Sequence, residues 1–298
     1  AAIALGFGRA APAQAAKDGV SLGLGGSFAG YVSWVDQDTT TGTDVHSVSI
    51  LRETEVHMTG ETTLDNGLTV GVHFEMEADG GAATATGTDT FDVEESYAYF
   101  SGAWGRVNFG SEDGAAFLLQ VAAPGADSNI DGVRQQVQPV NFTATDIGAD
   151  ASVGTAAGLI NYRFDYDNNP ARFDNKLTYM TPVFNGFQFG VSYTPDTGTG
   201  QNSLAGNPTD DGAGDYGAVW EAAGRYEGQL CDVGVALGAG YTHSDQEADP
   251  AGVLPIAGTR DDDRARWNAG LDLNWGAFGL GAAYLEDDNG FQLDGEET

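Results

Sequence analysis

Cations are scarce in this chain. Lysine and arginine together number 12 against 44 aspartates and glutamates, a formal net charge of -32 over 298 residues. That balance excludes nucleic acid as a partner, because phosphates would be repelled. Long apolar runs are missing too. No stretch reaches the ~18 consecutive apolar residues that a helical membrane span requires. The single cysteine, Cys231, permits no internal disulfide. No serine, histidine and acid fall at a defined catalytic spacing, and no phosphate-cradling glycine loop precedes a helix. The chain therefore offers no covalent chemistry, and neither an enzymatic activity nor a resident cofactor is expected.

What is present is glycine, 44 residues of it, and period-two alternation. From Val20 to Val35, Leu22, Leu24, Phe28, Val32 and Trp34 share one parity, with Ser21, Ser27, Tyr31 and Ser33 on the other. Such alternation is the mark of a strand with one apolar face. His46 to Gly60 returns with Val48, Ile50, Val56 and Met58 on one face, and Asn66-Gly67 is a hairpin signal. Leu68, Val70, Val72, Phe74 and Met76 then alternate with Thr69, Gly71, His73, Glu75 and Glu77. Further strands are expected over 92–101, 105–110, 175–182, 187–194, 216–227, 230–243, 264–275 and 278–286. On the 264–275 strand the apolar parity carries Trp267 and Trp275, placed as an interface girdle would be.

Connections alternate strictly between short and long. Tight turns at Asn66, Ala103, Asn185, Gly228-Gln229 and Gly276 intervene between long acidic loops, of which the longest runs from Ser111 to Asp174. An up-and-down transmembrane antiparallel β-barrel gives that rhythm, and its strands never look hydrophobic overall. Leu159 to Tyr166 alternates like a strand but would invert the rhythm, so it is read as loop. The count is about eleven spans. A connection as long as Ser111 to Asp174 needs a role, and the role expected is to fold inward and narrow the lumen. The rival reading is a secreted, soluble, acidic all-β binding protein in which the apolar stripe is core.

The first fifteen residues, an apolar run ending at Ala13-Gln14-Ala15, read as the back half of a secretory signal peptide. Residues 1–15 are thus expected to be removed, leaving 16–298 as one barrel domain whose final strands are missing from the chain.

Three segments carry a family likeness: Thr59 to Glu75, Ser101 to Gly114 (SGAWGRVNFGSEDG), and Asn175 to Tyr193 (NKLTYMTPVFNGFQFGVSY). In order and spacing they resemble the Gram-negative general-diffusion porins. The resemblance implies a sixteen-stranded barrel, an outer-membrane location against lipid and lipopolysaccharide, a homotrimer, and passive passage of small hydrophilic solutes and ions. It also implies an inward third loop between Ser111 and Asp174. One departure stands out. Porins often carry an arginine on the inner wall of the second strand, whereas lumen parity here gives Glu53, Glu55 and His57, and Arg52 falls on the other face.

The expected constriction sets Arg106, Lys176 and Arg225 on the wall, with Glu55, against Glu112, Asp113, Asp127 and Asp131 of the long loop. Basic wall and acidic loop would sort solutes by charge, and the acidic excess predicts a preference for cations. Asp127, Asn129 and Asp131 also match the first half of an EF-hand loop, but the twelfth position is Gln138 rather than glutamate. An acidic turn and a low-affinity Ca2+ site are both left open there. His57 and His73 share lumen parity without a carboxylate of established spacing, and are read as separate pore-lining residues.

Overall fold

A computed structural model describes residues 3–4, 19–34, 36, 47–77, 92–123, 166–197, 216–246 and 263–288. The strands are β1 (Ile3–Ala4), β2 (Ser21–Trp34), β3 (Val48–Thr63), β4 (Thr69–Glu77), β5 (Asp92–Gly102) and β6 (Gly105–Ser111). After the long connection come β7 (Asn175–Met180), β8 (Phe187–Asp196), β9 (Tyr216–Leu230), β10 (Val233–Gln246), β11 (Arg264–Trp275) and β12 (Phe278–Asp287). All lie in one sheet, each antiparallel to its sequence neighbours. β2 to β12 are the eleven expected spans, and β1 adds a two-residue pairing on β2, Ile3 opposite Val32. β6 pairs directly with β7, Arg106 opposite Met180, so nothing between them interrupts the sheet. Among the described residues β12 pairs only with β11, and the sheet is open.

The two faces of the sheet are inverted relative to a water-soluble protein. On β8, Phe189 and Val191 are 57% and 52% exposed, while Ser192 and Thr194, on the opposite parity, are 3% and 1% exposed. β2 repeats the pattern with Leu22, Leu24, Phe28, Val32 and Trp34 all outward. Each such side chain left in water forgoes about 1.5–3 kcal/mol of burial. A soluble sandwich would cover this stripe with a second sheet, and the described strands form only one. The apolar face is the lipid face of a transmembrane barrel sheet, and the packed interior is polar.

Aromatic pairs mark both margins of that face. Trp104 stacks on Tyr179 and Trp275 on Phe278 at the short-turn end, whereas Tyr193–Trp220 and Trp267–Tyr284 lie towards the long loops. Trp267 and Trp275 are separated by about 26 Å of strand at ~3.3 Å per residue, comparable with the ~25 Å apolar band of outer-membrane barrels.

The Asn66 turn forms as expected: Asn66 Oδ1 accepts the Leu68 amide at 3.1 Å and Gly67 takes φ 82. The β9–β10 turn does not lie at Gly228-Gln229. Both residues stay in β9, paired with Val235 and Gly234, and the chain reverses at Cys231-Asp232 with Cys231 at φ 56. Gly228 is there for another reason. A Cβ on it would sit 2.2 Å from the Tyr226 hydroxyl, which covers it.

A candidate functional site on the inner face

The start of the long connection turns inward. Glu112 to Ala123 runs across the inner faces of β7 to β11 and includes a single helical turn, α1 (Ala115–Leu118). Glycines on the wall and on the segment itself make the close approach feasible. A Cβ at Gly270 would fall 1.5 Å from the Val121 carbonyl oxygen, and one at Gly114 within 1.9 Å of Glu221 Oε2.

Polar side chains from the wall capture the segment's backbone. Ser192 Oγ accepts the Ala115 amide and Glu221 Oε2 the Ala116 amide, both at 3.0 Å. These are amides at the start of a helical turn, which have no partner within it. Further along, Arg225 Nη1 donates to the Gln120 carbonyl at 3.0 Å. Gln120 Oε1 accepts from Asn268 Nδ2 and from the Asn168 amide, each at 3.2 Å, and Thr242 donates to Asn168 at 2.9 Å. Asn108, Asn168, Thr242 and Asn268 are buried here and hydrogen-bonded to one another or to the segment, polar side chains packed beside the segment's own Leu119 and Val121.

Two residues expected to face the pore are buried between this segment and the wall. Lys176 is 3% exposed; its Nζ donates to the backbone carbonyls of Glu112 and Arg172 and, at 2.9 Å, of Asp174. Glu112 is 1% exposed, and its Oε2 accepts Asn108 Nδ2 at 2.6 Å. Parity sends Lys176 inward, as the alternation predicts, but the start of the long loop, Glu112 included, folds against it, and the two residues anchor the loop instead of meeting lumen water. Burial pushes the Glu112 carboxyl up to about 7, against the opposing pull of the Asn108 and Thr178 hydrogen bonds and the nearby Lys176 and Arg106 charges. Asp113, whose Oδ1 accepts Asn169 Nδ2 at 2.5 Å, is likewise raised by burial, to about 6.

The remaining expected residues divide. Arg106 is half-buried, its guanidinium 3.9 Å from the Tyr99 ring centroid and its Nε donating to Asn108 at 2.6 Å. Arg225 joins loop to wall through Gln120 and pairs with Glu227 at its other end. Glu55 lies on the inner face of β3 and accepts Ser27 Oγ at 3.2 Å, while Arg52 is on the outward parity, opposite Gly30. Asp127, Asn129 and Asp131, and with them the half-matched Ca2+ loop, lie outside the described residues.

A second cluster occupies the inner faces of β3 to β5. A register shift after Glu75 pairs it with Glu95 but pairs Met76 with Val93, leaving Glu94 as the extra residue of a bulge. Glu94 thereby comes within reach of Glu55 and Glu75, and Glu95 reaches His73. His57 Nδ1 stands 3.4 Å from Glu75 Oε2, and His73 Nε2 stands 3.6 Å from the same oxygen. Sequence reasoning treated these histidines separately. The signal that joins them is register, which sets Glu75 opposite His57 and two residues from His73. Glu95 also touches the loop, accepting the Asp113 amide at 3.2 Å.

A family model described as Gram-negative porin matches residues 1–296. An uncharacterized protein of Rickettsia typhi is 28% identical over 139 residues, 45% of this chain and 32% of its own length. One of Rickettsia conorii is 31% identical over 121 residues, 38% of this chain and 27% of its own. The matched region thus spans about a third or less of those relatives. Among solved structures, an anion-selective porin from Comamonas acidovorans aligns with TM-score 0.45 at 17% identity, over 91% of this chain and 70% of that one. Salmonella typhi OmpF, in complex with daunomycin, aligns with TM-score 0.45 at 15% identity, over 92% of this chain and 81% of that one.

Proposed function

Because the chain belongs to the Gram-negative porin family, we propose that it works in the outer membrane as a passive diffusion channel for small hydrophilic solutes and ions, prefers cations, and assembles as a homotrimer. Membership of a channel family argues for passage and against catalysis. The observation that carries the cation preference is the acidic inner wall: Glu55, Glu75, Glu94 and Glu95 gather on the inner faces of β3 to β5. Of these, Glu55 stands on β3, the strand where the resemblance led one to expect an arginine. Arg106 and Arg225 are held by aromatic and backbone partners beside the loop, so they shape the field locally.

A net charge of -32 adds a negative potential at the mouths, which concentrates cations before they enter. Exposed loop charges are screened within about 8 Å at physiological salt, so their share fades as salt rises while that of the inner wall persists. The test is the reversal potential of the full-length protein in planar bilayers under a salt gradient. The expected sign is that of cation preference, larger at low ionic strength, and Glu55→Gln combined with Glu94→Gln should reduce it. Anion preference, or indifference to that double change, would remove the acidic wall as the filter.

A further inference from the structure

His57, His73 and Glu75 present donor atoms to one point. The two imidazole nitrogens lie 3.4 Å and 3.6 Å from Glu75 Oε2, and all three donors are within 4.8 Å of one another. A tetrahedral ion with metal–nitrogen and metal–oxygen bonds of ~2.0–2.1 Å has donors separated by about 3.3–3.4 Å, so these spacings are close to the edges of such a coordination shell. We propose that His57, His73 and Glu75 bind a divalent cation of the imidazole-preferring class, Zn2+, Co2+ or Ni2+, on the inner wall of β3 and β4.

Three independent features of the cluster fit a ligand site. First, the other ring nitrogen of His57, Nε2, lies 3.1 Å from Glu55 Oε2. A carboxylate accepting Nε2–H leaves the lone pair on Nδ1, the atom aimed at Glu75, and fixes the ring as metal-bound histidines are fixed by their outer carboxylates. Second, the Tyr97 ring lies on His73, centroids 5.1 Å apart and tilted 31°, holding the second imidazole in place. Third, Glu95 Oε2 closes the far side 3.5 Å from His73 Nε2, a further carboxyl oxygen facing the donor set. Two imidazoles favour the borderline metals over Mg2+ and Ca2+, which seek oxygen donors. The site stands on the register of β3 with β4, and does not depend on what the channel conducts.

Calorimetry on the full-length protein in detergent, with Zn2+ as the probe in excess Mg2+, tests it. One Zn2+ per chain is expected, with His57→Ala and His73→Ala together abolishing that isotherm and His243→Ala, at a separate exposed cluster, leaving it intact. Glu55→Gln keeps every proposed ligand and should weaken binding about 10- to 100-fold. Co2+ titrated into the unaltered protein should give the intense visible bands of tetrahedral coordination, a readout that requires no variant to fold. Zn2+ displaced by equimolar Mg2+, Zn2+ bound equally well by the double histidine variant, or an octahedral Co2+ spectrum would each overturn the proposal.

Discussion

Replacing Lys176 by methionine is the sharpest probe of how the inward segment is held. The ammonium donates to three backbone carbonyls, those of Glu112, Arg172 and Asp174, and its charge acts on the buried carboxyl of Glu112. Charge-assisted hydrogen bonds contribute about 1.5–3 kcal/mol each, so three give roughly 4.5–9 kcal/mol before the cost of burying an ammonium, which is several kcal/mol. Methionine removes both terms, but it takes the donor from three carbonyls and one of the countercharges from the carboxylates of Glu112 and Asp113. Deleting one partner of such a buried set costs about 3–5 kcal/mol. At 1.4 kcal/mol per tenfold, hydrogen exchange of the Ala115 and Ala116 amides should accelerate by about a hundred- to a few-thousand-fold, because both amides depend on the segment staying docked on Ser192 and Glu221. Strand amides of β2 and β3, remote from the clamp, should keep their rates. Acceleration below tenfold at Ala115 and Ala116 would refute the clamp and return Lys176 to the role of a plain wall charge.

Parity supplies a second prediction: Val191→Arg, on the lipid face, should cost about 2–4 kcal/mol at mid-bilayer depth by urea unfolding in vesicles, whereas Thr59→Arg, facing inward, should fold and change conduction. Equal cost at both sites would contradict the assigned faces. Glu112 predicts a pH dependence. Its carboxyl is raised from an ordinary 4.5 to about 7 by burial, so the folded state holds the proton longer than the unfolded one, and the stability this contributes is full below pH 4.5 and lost as pH rises towards 7. The urea midpoint should fall across that window, with Asp113 contributing up to about 6; Glu112→Gln should flatten the part between about 6 and 7. Finally, Gly270→Ala should push Val121 into the lumen and lower single-channel conductance, while Gly234→Ala, where a Cβ would meet nothing nearer than 3.6 Å, should leave it unchanged.

Alternation alone was enough to read the strands, because a sheet with lipid on one side and water on the other imposes period two on every span. It placed Trp267 and Trp275 on the outer face and Glu55 and His57 on the inner one. It failed where local geometry departs from the regular pleat. Gly228 looked like a turn residue, yet the reversal three residues later rests on Cys231 at positive φ, which composition does not advertise. The bulge at Glu94 is equally silent in the sequence, since the extra residue lets two adjacent glutamates, Glu94 and Glu95, both turn inward where regular alternation would allow one. Lys176 shows a different limit: parity gives the direction of its side chain, but its burial depends on Glu112, 64 residues away, folding back across it. The histidine–carboxylate cluster needed the β3–β4 register, which a two-residue error in the turn would have destroyed.

The order of the sheet also bears on how the molecule assembles. Among the described residues every strand pairs only with its neighbours in sequence, so each hairpin other than β6–β7, with the long connection between them, can close over a modest separation and add to the one before, a route that keeps loop-closure costs low. The docked segment breaks that economy. Its bonds reach 105 residues forward to Glu221 and Arg225 and 148 to Asn268, so its partners do not stand side by side until β9 to β11 are in place. The lumen is therefore built wide and narrowed afterwards, and an assembly intermediate halted at that stage would leak more than the finished channel.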